Sequence, residues 1–556
     1  MASSKRMHWA WAGVFLLGLG MLIAGALNGN IWYDEGYSVA LVRQDFAQIW
    51  QLTAIDVHPP LYYWMAHAVY LAVGESILAY RLLSVAGMVA TALLGPVVVR
   101  RMFGERAGLA FSALVLFLPF SQHMAWQIRM YSWSMFTVSV CFLAALRLMS
   151  AAHANERAPR IAWAALGASG IASAYLHYYA AVAAFLINAG LMLCFWRCDR
   201  RKLRAWAVLA VAQLVLYLPW VRMLTAQMGE VASSFWITFE FPYTIVSVLM
   251  FPFTTDMLSC DLTVQSAALV LVCLGALLGV LRYRRRVAAQ GASDDADARR
   301  ADQGDAPSWF APAEWRALCF AGAVYAGLVI IMVLASLGMG RMILFYRYLV
   351  VVLGPVALGM ALALGRAWER LHRARSVRGI RALTVGIALV AVLFAGLWAG
   401  VMLRLYDATN TQSVDAVMEP VAQAEASGLQ GVVVSPSPRV ESVLCGQYPE
   451  ETFVYLDFLR DSWWTENVWS AYGTGIDPAD SWEEALDGVE AGDTVVFVRE
   501  NPTEELLARD RAELAAAGLE VASEETVSRA YDRVDWAIMV CEYHGAGGAD
   551  SAGEDL

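Results

Sequence analysis

The stretch Asn30–Tyr63 contains the residues whose types and spacing are best suited to chemistry. Two adjacent carboxylates, Asp34 and Glu35, are followed by a third, Asp56, and by His58 in front of a Pro-Pro pair. A carboxylate can accept the proton of an attacking hydroxyl group, and it can also hold a divalent cation against a phosphate. The stretch therefore suits a group-transfer reaction assisted by a base or by a metal ion.

Each of these residues also has a plain structural interpretation. An Asp-Glu pair often caps the first turn of a helix, and a lone histidine is more often structural than functional. The aromatic neighbours Trp32, Tyr33 and Tyr37 and the presence of a third carboxylate favour a catalytic role for Asp34 and Glu35.

A second group of polar residues comes from distant parts of the chain but lies next to the predicted outer ends of spans, which suggests that it converges with the carboxylates on one outward-facing cavity. A guanidinium group clamps a phosphate with two parallel hydrogen bonds, although arginines beside apolar spans also snorkel to the membrane interface. The rings of His177 and Tyr178 suit stacking on a sugar or an interfacial aromatic belt. The residues that we predict to bind substrate are Asp56, His58, Arg129, Tyr131, His177, Tyr178 and Arg347.

The composition defines the elements that must position these groups. Of the 556 residues, 59% are hydrophobic and 16% are charged, whereas an average globular chain has about 25% charged residues. Several apolar runs reach the ~20 residues that a bilayer requires. These features exclude a water-soluble enzyme and predict a membrane all-α fold with about eleven transmembrane helices. Because hydrocarbon does not tolerate so many ionisable groups, Asn30–Tyr63 should lie at or outside the membrane face.

The distribution of basic residues predicts the orientation of the spans. Lys5 and Arg6 place the N-terminus in the cytoplasm, and every loop predicted to be cytoplasmic is basic. This agreement requires Pro60–Val73 to lie along the outer surface as an interfacial helix. The basic residues are thus an orientation signal, and no nucleic-acid partner is expected. The predicted spans are Trp9–Leu27, Ala79–Val99, Gly108–Pro119, Ser132–Met149, Ile161–Leu176, Ala180–Trp196, Ala205–Pro219, Val264–Leu281, Trp315–Leu334, Tyr348–Leu364 and Leu383–Leu403.

The chain changes character after Leu403. From Arg404 onward there are 31 acidic and 8 basic residues. Helical segments such as Glu504–Ala517 alternate with four short β-branched runs, which are Gly431–Ser435, Thr452–Leu456, Thr494–Val498 and Trp536–Cys541. This pattern predicts a small α/β domain on the extracytoplasmic side, without a glycine-rich nucleotide motif. The predicted domains are a membrane catalytic domain at 1–403 with interfacial helices in 28–76, an α/β domain at 404–545 and a disordered tail at 546–556.

The cysteines give no metal-cluster spacing, because no CxxC pair is present. Cys445 and Cys541 both fall in the predicted outer domain. They either form a disulfide there or remain as two separate buried thiols.

Six motifs, in this order, resemble the GT-C superfamily of membrane glycosyltransferases, in particular bacterial members related to protein O-mannosyltransferases and the lipid A aminoarabinose transferase. The resemblance covers roughly residues 9–365. The matching motifs are WYDEGYS (Trp32–Ser38), DVHPPLYYW (Asp56–Trp64), RMYS (Arg129–Ser132), LHYYA (Leu176–Ala180), LPW (Leu218–Trp220) and RYLV (Arg347–Val350).

The resemblance implies a sugar donor linked to a polyprenyl phosphate, attacked by an acceptor hydroxyl with inversion at the anomeric carbon. It implies that Asp34 is the base, that Glu35 is its neighbour or the ligand of a divalent cation such as Mg²⁺ or Mn²⁺, and that Arg129 and Arg347 hold the donor phosphate. Relatives often carry a glutamate two residues before the arginine of RMY, where this chain has Gln127. That difference weakens the case for a metal ligand at this position.

Two other classes of function fit part of the sequence. A transporter of lipid-linked sugars should show ionisable residues near the middle of its spans and an inverted repeat, and neither is apparent. A non-catalytic assembly protein would not need a complete set of outer carboxylates and arginines. The acceptor stays open among a protein, a glycan and a lipid.

Overall fold

The chain folds as two units. One unit comprises Met1–Ala26 and Leu82–Leu405, and the other comprises Leu27–Arg81 and Tyr406–Leu556. The packing of the first long loop with the C-terminal part of the chain is not visible in any local sequence pattern. The computed structural model describes residues 2–234, 237–253, 310–373, 392, 395–396, 398–407, 414–459, 475–529 and 534–545.

The helices account for most of this structure. A π-helical segment (Gly95–Val99) joins the fifth helix to the sixth, and a 3₁₀ segment (Tyr346–Val352) precedes the fifteenth. The helices are α1 (Ala2–Ala26), α2 (Tyr33–Val42), α3 (Phe46–Ile55), α4 (Leu61–Val73), α5 (Ile77–Leu94), α6 (Arg100–Phe103), α7 (Glu105–Phe117), α8 (Pro119–Trp126), α9 (Tyr131–His153), α10 (Arg160–Leu176), α11 (Tyr178–Cys198), α12 (Arg201–Ser234), α13 (Tyr243–Met250), α14 (Pro312–Met339), α15 (Leu353–Arg373), α16 (Asp415–Ala426), α17 (Pro438–Gln447), α18 (Trp482–Ala485) and α19 (Glu504–Ala516).

Seven helical stretches within the described residues are long and apolar enough to cross a membrane, and the bent pair α7–α8 makes an eighth if it counts as one span. The predicted class of a multi-pass helical membrane protein is therefore confirmed. The predicted span Ile161–Leu176 is a helix of 17 residues, Val264–Leu281 lies outside the described residues, and Leu383–Leu403 lies mostly outside them. The long apolar stretches are Lys5–Ala26, Ile77–Phe103, Tyr131–His153, Tyr178–Cys198, Arg201–Gln227, Pro312–Met339 and Tyr346–Arg366.

Most predicted span ends differ from the observed helix ends by several residues, and the largest difference is at the end of α12. The span predicted to end at Pro219 continues to Ser234 with the proline inside the helix. Proline removes one backbone donor, and membrane helices tolerate this because neighbouring groups satisfy the freed carbonyl.

The loop between α1 and α5 contains three short helices whose ends follow from local chemistry. Asp45 caps α3 by accepting hydrogen bonds from the amides of Ala47 and Gln48 at 2.9 and 2.8 Å. Pro60 directly precedes α4, and Gly74, with φ of 78°, ends it. The predicted interfacial helix is thus a helix of 13 residues, too short to span a bilayer. Its position relative to the membrane stays a prediction.

The C-terminal region contains a six-stranded sheet with the order β3-β2-β1-β4-β6-β5. The first four strands are parallel, and β6 pairs antiparallel with both β4 and β5. The predicted α/β architecture is confirmed here, including four strands and α19. The strands are β1 (Gly431–Ser435), β2 (Phe453–Leu456), β3 (Ile476–Ala479), β4 (Thr494–Glu500), β5 (Leu519–Arg529) and β6 (Val534–Tyr543).

Two strands were not predicted, and both lie at the edges of the sheet. The β3 sequence is IDPA and the β5 sequence is LEVASEETVSR. An edge strand is partly solvated, so it does not need the continuous β-branched run that marks a buried central strand.

Cys445 and Cys541 are separate, buried, free thiols, so the second of the two alternatives from the sequence is the one observed. The disordered tail predicted at 546–556 lies outside the described residues.

Candidate active site

Glu35 is fully buried and forms an ion pair with Arg81. The Oε2 atom of Glu35 lies 3.1 Å from Nη2 of Arg81, and both side chains are 0% exposed. Glu35 also accepts a hydrogen bond from the backbone amide of Trp32 at 3.3 Å, which completes the N-terminal cap of α2. Arg81 donates further hydrogen bonds to the carbonyls of Asn28, at 2.5 Å, and Asn30. The capping interpretation therefore applies to Glu35.

Asp56 and His58 form a second close pair. Oδ2 of Asp56 lies 2.7 Å from Nδ1 of His58, and the two side chains are 10% and 16% exposed. Burial acts to raise the pKa of Asp56, but the charge of His58 and its hydrogen bond outweigh burial and lower that pKa below the ordinary value. This pair fixes the turn between α3 and α4, where both residues were predicted to bind substrate.

Asp34 is half-buried in the first turn of α2, on a helix held by the C-terminal region. Its backbone carbonyl accepts a hydrogen bond from the hydroxyl of Ser38 at 2.9 Å. The hydroxyl of Ser442, on α17, donates to the carbonyl of Tyr33 at 3.1 Å. The guanidinium of Arg439, also on α17, lies over the Tyr33 ring at 5.5 Å from its centre. Helix α17 thus positions the residue directly before Asp34.

Glu35 does not fit the tentative role of metal ligand. A metal ligand needs lone pairs directed at an open position, and Glu35 is enclosed and neutralised by Arg81. Within the described residues, the three carboxylates Asp34, Glu35 and Asp56 do not gather as one group of metal-ligating atoms; the single such group is elsewhere in the chain. The reaction proposed below therefore uses no divalent cation.

The other predicted residues lie in the first unit, and several meet in an aromatic cluster. The rings of Tyr131 and His177 are 5.9 Å apart, and His177 lies 5.2 Å from the ring of Tyr348. Tyr179 joins the cluster at 5.1 Å from Tyr348. The start of α9, the start of α11 and the 3₁₀ segment therefore meet at one end of the helix bundle.

The two predicted phosphate-binding arginines adjoin this aromatic cluster in the sequence. Arg129 precedes Tyr131 by two residues and is 2% exposed, and Arg347 directly precedes Tyr348 and is 8% exposed. The guanidinium of Arg347 lies over the ring of Phe345 at 5.3 Å. Two buried guanidinium groups on the segments that carry these rings suit an anionic group attached to a sugar.

Tyr178 has a different environment from its neighbour His177. Its hydroxyl donates a hydrogen bond to Gln227 and accepts one from the indole of Trp220 at 3.0 Å. These contacts join α11 to α12. Tyr178 is therefore engaged in helix packing through its polar end, while the rest of the side chain is only partly buried.

Sequence reasoning missed Arg81 and Arg439. An available signal for Arg81 was its place among apolar residues in a predicted span, since an ionisable residue there requires a partner. No local signal marks Arg439, because its contacts with Tyr33 and Glu500 join parts of the chain that are far apart in sequence. The predicted convergence of the carboxylates with Arg129 and Arg347 stays a prediction.

No protein-family model and no curated protein matches the chain. ArnT from Cupriavidus metallidurans in the apo state has a similar structure, with a TM-score of 0.55 at 14% identity, covering 97% of this chain and 98% of that one. The same protein bound to undecaprenyl phosphate gives a TM-score of 0.53 at 15% identity, covering 95% and 98%. The Archaeoglobus fulgidus oligosaccharyltransferase in complex with Zn and sulfate covers 86% of this chain and 67% of that one at 14% identity, with a TM-score of 0.38.

The chain therefore has the fold of the GT-C membrane glycosyltransferases, as the six sequence motifs predicted. The similarity to ArnT extends over almost the whole of both chains.

Proposed function

We propose that this protein is a glycosyltransferase that moves a sugar from a polyprenyl-phosphate donor to the hydroxyl group of an acceptor. The observation that carries the proposal is the GT-C fold shared with ArnT over 97% of the chain. That relative was crystallised with undecaprenyl phosphate. A lipid phosphate donor also suits a reaction on the outer face of the cytoplasmic membrane, where nucleotide sugars are absent.

Asp34 is the proposed base. The acceptor oxygen attacks the anomeric carbon of the sugar, the bond from that carbon to the phosphate oxygen breaks, and the configuration inverts. The proton of the acceptor hydroxyl passes to Asp34, and the polyprenyl phosphate leaves as the anion. Glu35 is fully buried against Arg81, whereas Asp34 is only half-buried, which supports Asp34 as the carboxylate that an acceptor can reach.

Arg129 and Arg347 are the proposed ligands of the donor phosphate. Negative charge develops on the phosphate as the glycosidic bond breaks, and fixed guanidinium groups stabilise it without having to reorganise. Tyr131 and His177 supply ring faces for the sugar next to that phosphate. Tyr178 supports this end of α11 through its contacts with α12.

The proposed topology follows the basic loops. The N-terminus lies in the cytoplasm, and the substrate residues and the C-terminal sheet lie outside it. The acceptor is a protein, a glycan or a lipid of the cell envelope.

A comparison of cells with and without the gene tests this function. We expect cells without the gene to accumulate one polyprenyl-phosphate sugar and to lose one surface decoration, both measured by mass spectrometry. The wild-type gene should restore both, whereas Asp34→Asn should restore neither, because loss of a general base costs about 10²–10⁴-fold in rate. The exposed Asp477 provides a matched control, and Asp477→Asn should behave as wild type.

Unchanged lipid-linked sugars and unchanged decorations in the deleted strain would refute the transferase proposal. Full complementation by Asp34→Asn would remove Asp34 from the role of base and leave the transferase proposal standing. Equal amounts and equal melting temperatures of the purified variants establish that folding does not explain the result.

A further inference from the structure

One group of metal-ligating side chains lies at the ends of α9 and α11 that are distant from the aromatic cluster. His153 is the last residue of α9, and Cys194 and Cys198 are one helical turn apart at the end of α11. Their ligand atoms all lie within 4.8 Å of one another. The start of α9 is 22 residues away, about 33 Å along the helix at 1.5 Å per residue, so this group is separate from the candidate active site.

The distance between Cys198 and Nε2 of His153 is close to that of a tetrahedral zinc site, and the sulfur of Cys194 lies on the Nδ1 side of the same ring. The sulfur of Cys198 is 3.7 Å from Nε2 of His153, and the sulfur of Cys194 is 3.8 Å from Nδ1 of the same ring. Around zinc, a sulfur bound at about 2.3 Å and a nitrogen bound at about 2.0–2.1 Å lie about 3.5 Å apart. One ligand atom from each of the three residues lies within 4.8 Å of the other two, so rotation of the Cys194 side chain towards Nε2 would complete the set around one ion.

The imidazole of His153 is oriented by the backbone. Its Nδ1 atom lies 2.8 Å from the carbonyl oxygen of Met149. In the tautomer that donates from Nδ1 to this carbonyl, the lone pair of Nε2 remains for a metal ion, which is the usual arrangement for a metal-bound histidine.

We propose that His153, Cys194 and Cys198 bind one Zn²⁺ ion, with a water molecule in the fourth position. Two thiolates and one imidazole are ligands that zinc favours, whereas Mg²⁺ and Ca²⁺ prefer oxygen. His153 and Cys198 are exposed and Cys194 is half-buried, so an ion has access from solvent. Cys198 also lines a cavity of 460 Å³.

Such an ion joins the C-terminal ends of α9 and α11, whereas Tyr131 and Tyr178 lie at the N-terminal ends of the same helices. The C-terminal ends adjoin the basic loops that the sequence places in the cytoplasm, where thiols remain reduced and available for a metal. Zinc at this position therefore stabilises the packing of α9 against α11. Zinc binding at this position is independent of the proposed transferase activity.

The first test measures zinc binding by the full chain. The protein is purified in detergent under reducing conditions through an affinity tag that contains no histidine. After chelation and dialysis, we expect elemental analysis to find one zinc per chain on adding ZnCl₂. Titration with Co²⁺ should give the thiolate-to-cobalt absorption and visible bands of a tetrahedral site. Cys194→Ser, Cys198→Ser and His153→Asn should each lower the affinity for zinc at least tenfold. Cys319→Ser, which removes an exposed thiol on α14, should bind as wild type.

The second test uses only the wild-type chain and so does not depend on the folding of variants. Zinc should slow the alkylation of Cys194 and Cys198 by a maleimide at least tenfold, measured per residue by mass spectrometry, while exposed Cys319 reacts at an unchanged rate. Equal alkylation rates with and without zinc would overturn the proposal. The proposal would also be overturned if Cys198→Ser still bound one zinc per chain. The same holds if mild oxidation formed a Cys194–Cys198 disulfide equally fast with and without zinc.

Discussion

The carboxylate of Glu35 and the guanidinium of Arg81 meet at 3.1 Å with both side chains fully buried. The sequence offers Glu35 as a second catalytic carboxylate, next to Asp34. The structure gives it another task, because its charge is balanced inside the fold and its oxygens cap α2. The two neighbouring acids therefore differ in role, and this difference separates the predicted effects of their mutations.

Glu35→Ala should destabilise the protein strongly. Removal of one member of a buried ion pair leaves an uncompensated charge and costs about 3–5 kcal/mol, so we expect a large fall in the melting temperature and in the yield of purified protein. Replacing both residues, as Glu35→Leu with Arg81→Leu, should recover part of that stability because no unpaired charge remains.

An exposed pair of the same chemistry serves as the control for this prediction. Arg43 and Glu75 also approach to 3.1 Å, but they are 18% and 30% exposed, so Glu75→Ala should cost at most about 1 kcal/mol. If Glu35→Ala proved as stable as Glu75→Ala, the structural role of the Glu35–Arg81 pair would be refuted.

Gly36→Ala should separate α2 from α17. A Cβ atom at Gly36 would lie 2.3 Å from the carbonyl oxygen of Ser442, a backbone atom that cannot rotate away. Alanine normally stabilises a helix by about 1 kcal/mol relative to glycine, but overpacking of this kind costs about 1–3 kcal/mol. We therefore expect a net loss of stability together with a loss of transfer activity, since α2 carries Asp34.

Gly29→Ala is the matched control for this substitution, because a Cβ atom there meets nothing within 4 Å. Melting temperature and complementation in cells measure the two effects. Equal values for Gly36→Ala and Gly29→Ala would contradict the close packing of α17 on α2.

Arg129→Ala should weaken binding of the lipid phosphate. A hydrogen bond to a charged group contributes about 1.5–3 kcal/mol, so the Kd for undecaprenyl phosphate in detergent should rise about 10- to 150-fold. Arg129→Lys keeps the charge and loses the bidentate geometry, and it should give an intermediate value. The exposed Arg222 of the same unit supplies the control. An Arg129→Ala variant that binds the lipid as tightly as Arg222→Ala would exclude Arg129 from the phosphate site.

Glu441→Gln should stabilise the protein increasingly as the pH rises. Glu441 is buried on α17, and burial raises its pKa well above the ordinary value. The protonated side chain of Glu441 contributes its full stability below the ordinary pKa of 4.5. As the pH rises towards the pKa of the folded state, the unfolded state loses this proton first, and the stability is lost. Each pH unit in that window widens the difference between variant and wild type by about 1.4 kcal/mol.

The melting temperatures of the two proteins should thus coincide near pH 4 and diverge towards pH 8. The exposed Glu419 of the same unit provides the control, and Glu419→Gln should show no such trend. A difference that is independent of pH would contradict a buried, neutral Glu441.

The sequence by itself determined the fold class, the positions of most spans and four of the six strands. These features depend on local quantities: the length of an apolar run, the alternation of β-branched residues, and caps such as Asp45 and Gly74. The edge strands β3 and β5 escaped because partly solvated strands carry little apolar signal. The motifs around Asp34, Arg129 and Arg347 were also sufficient to predict the GT-C fold.

Only the tertiary structure decided what neighbouring residues of the same type do. Asp34 and Glu35 are indistinguishable by position in the sequence, and Arg81, which comes from another helix, gives Glu35 its structural role. Likewise, His153 and the cysteines of α11 become one group only when two helices pack side by side. The physical reason is that charge pairing and metal ligation depend on distances of 2 to 4 Å, and folding sets those distances between residues that are far apart in the chain.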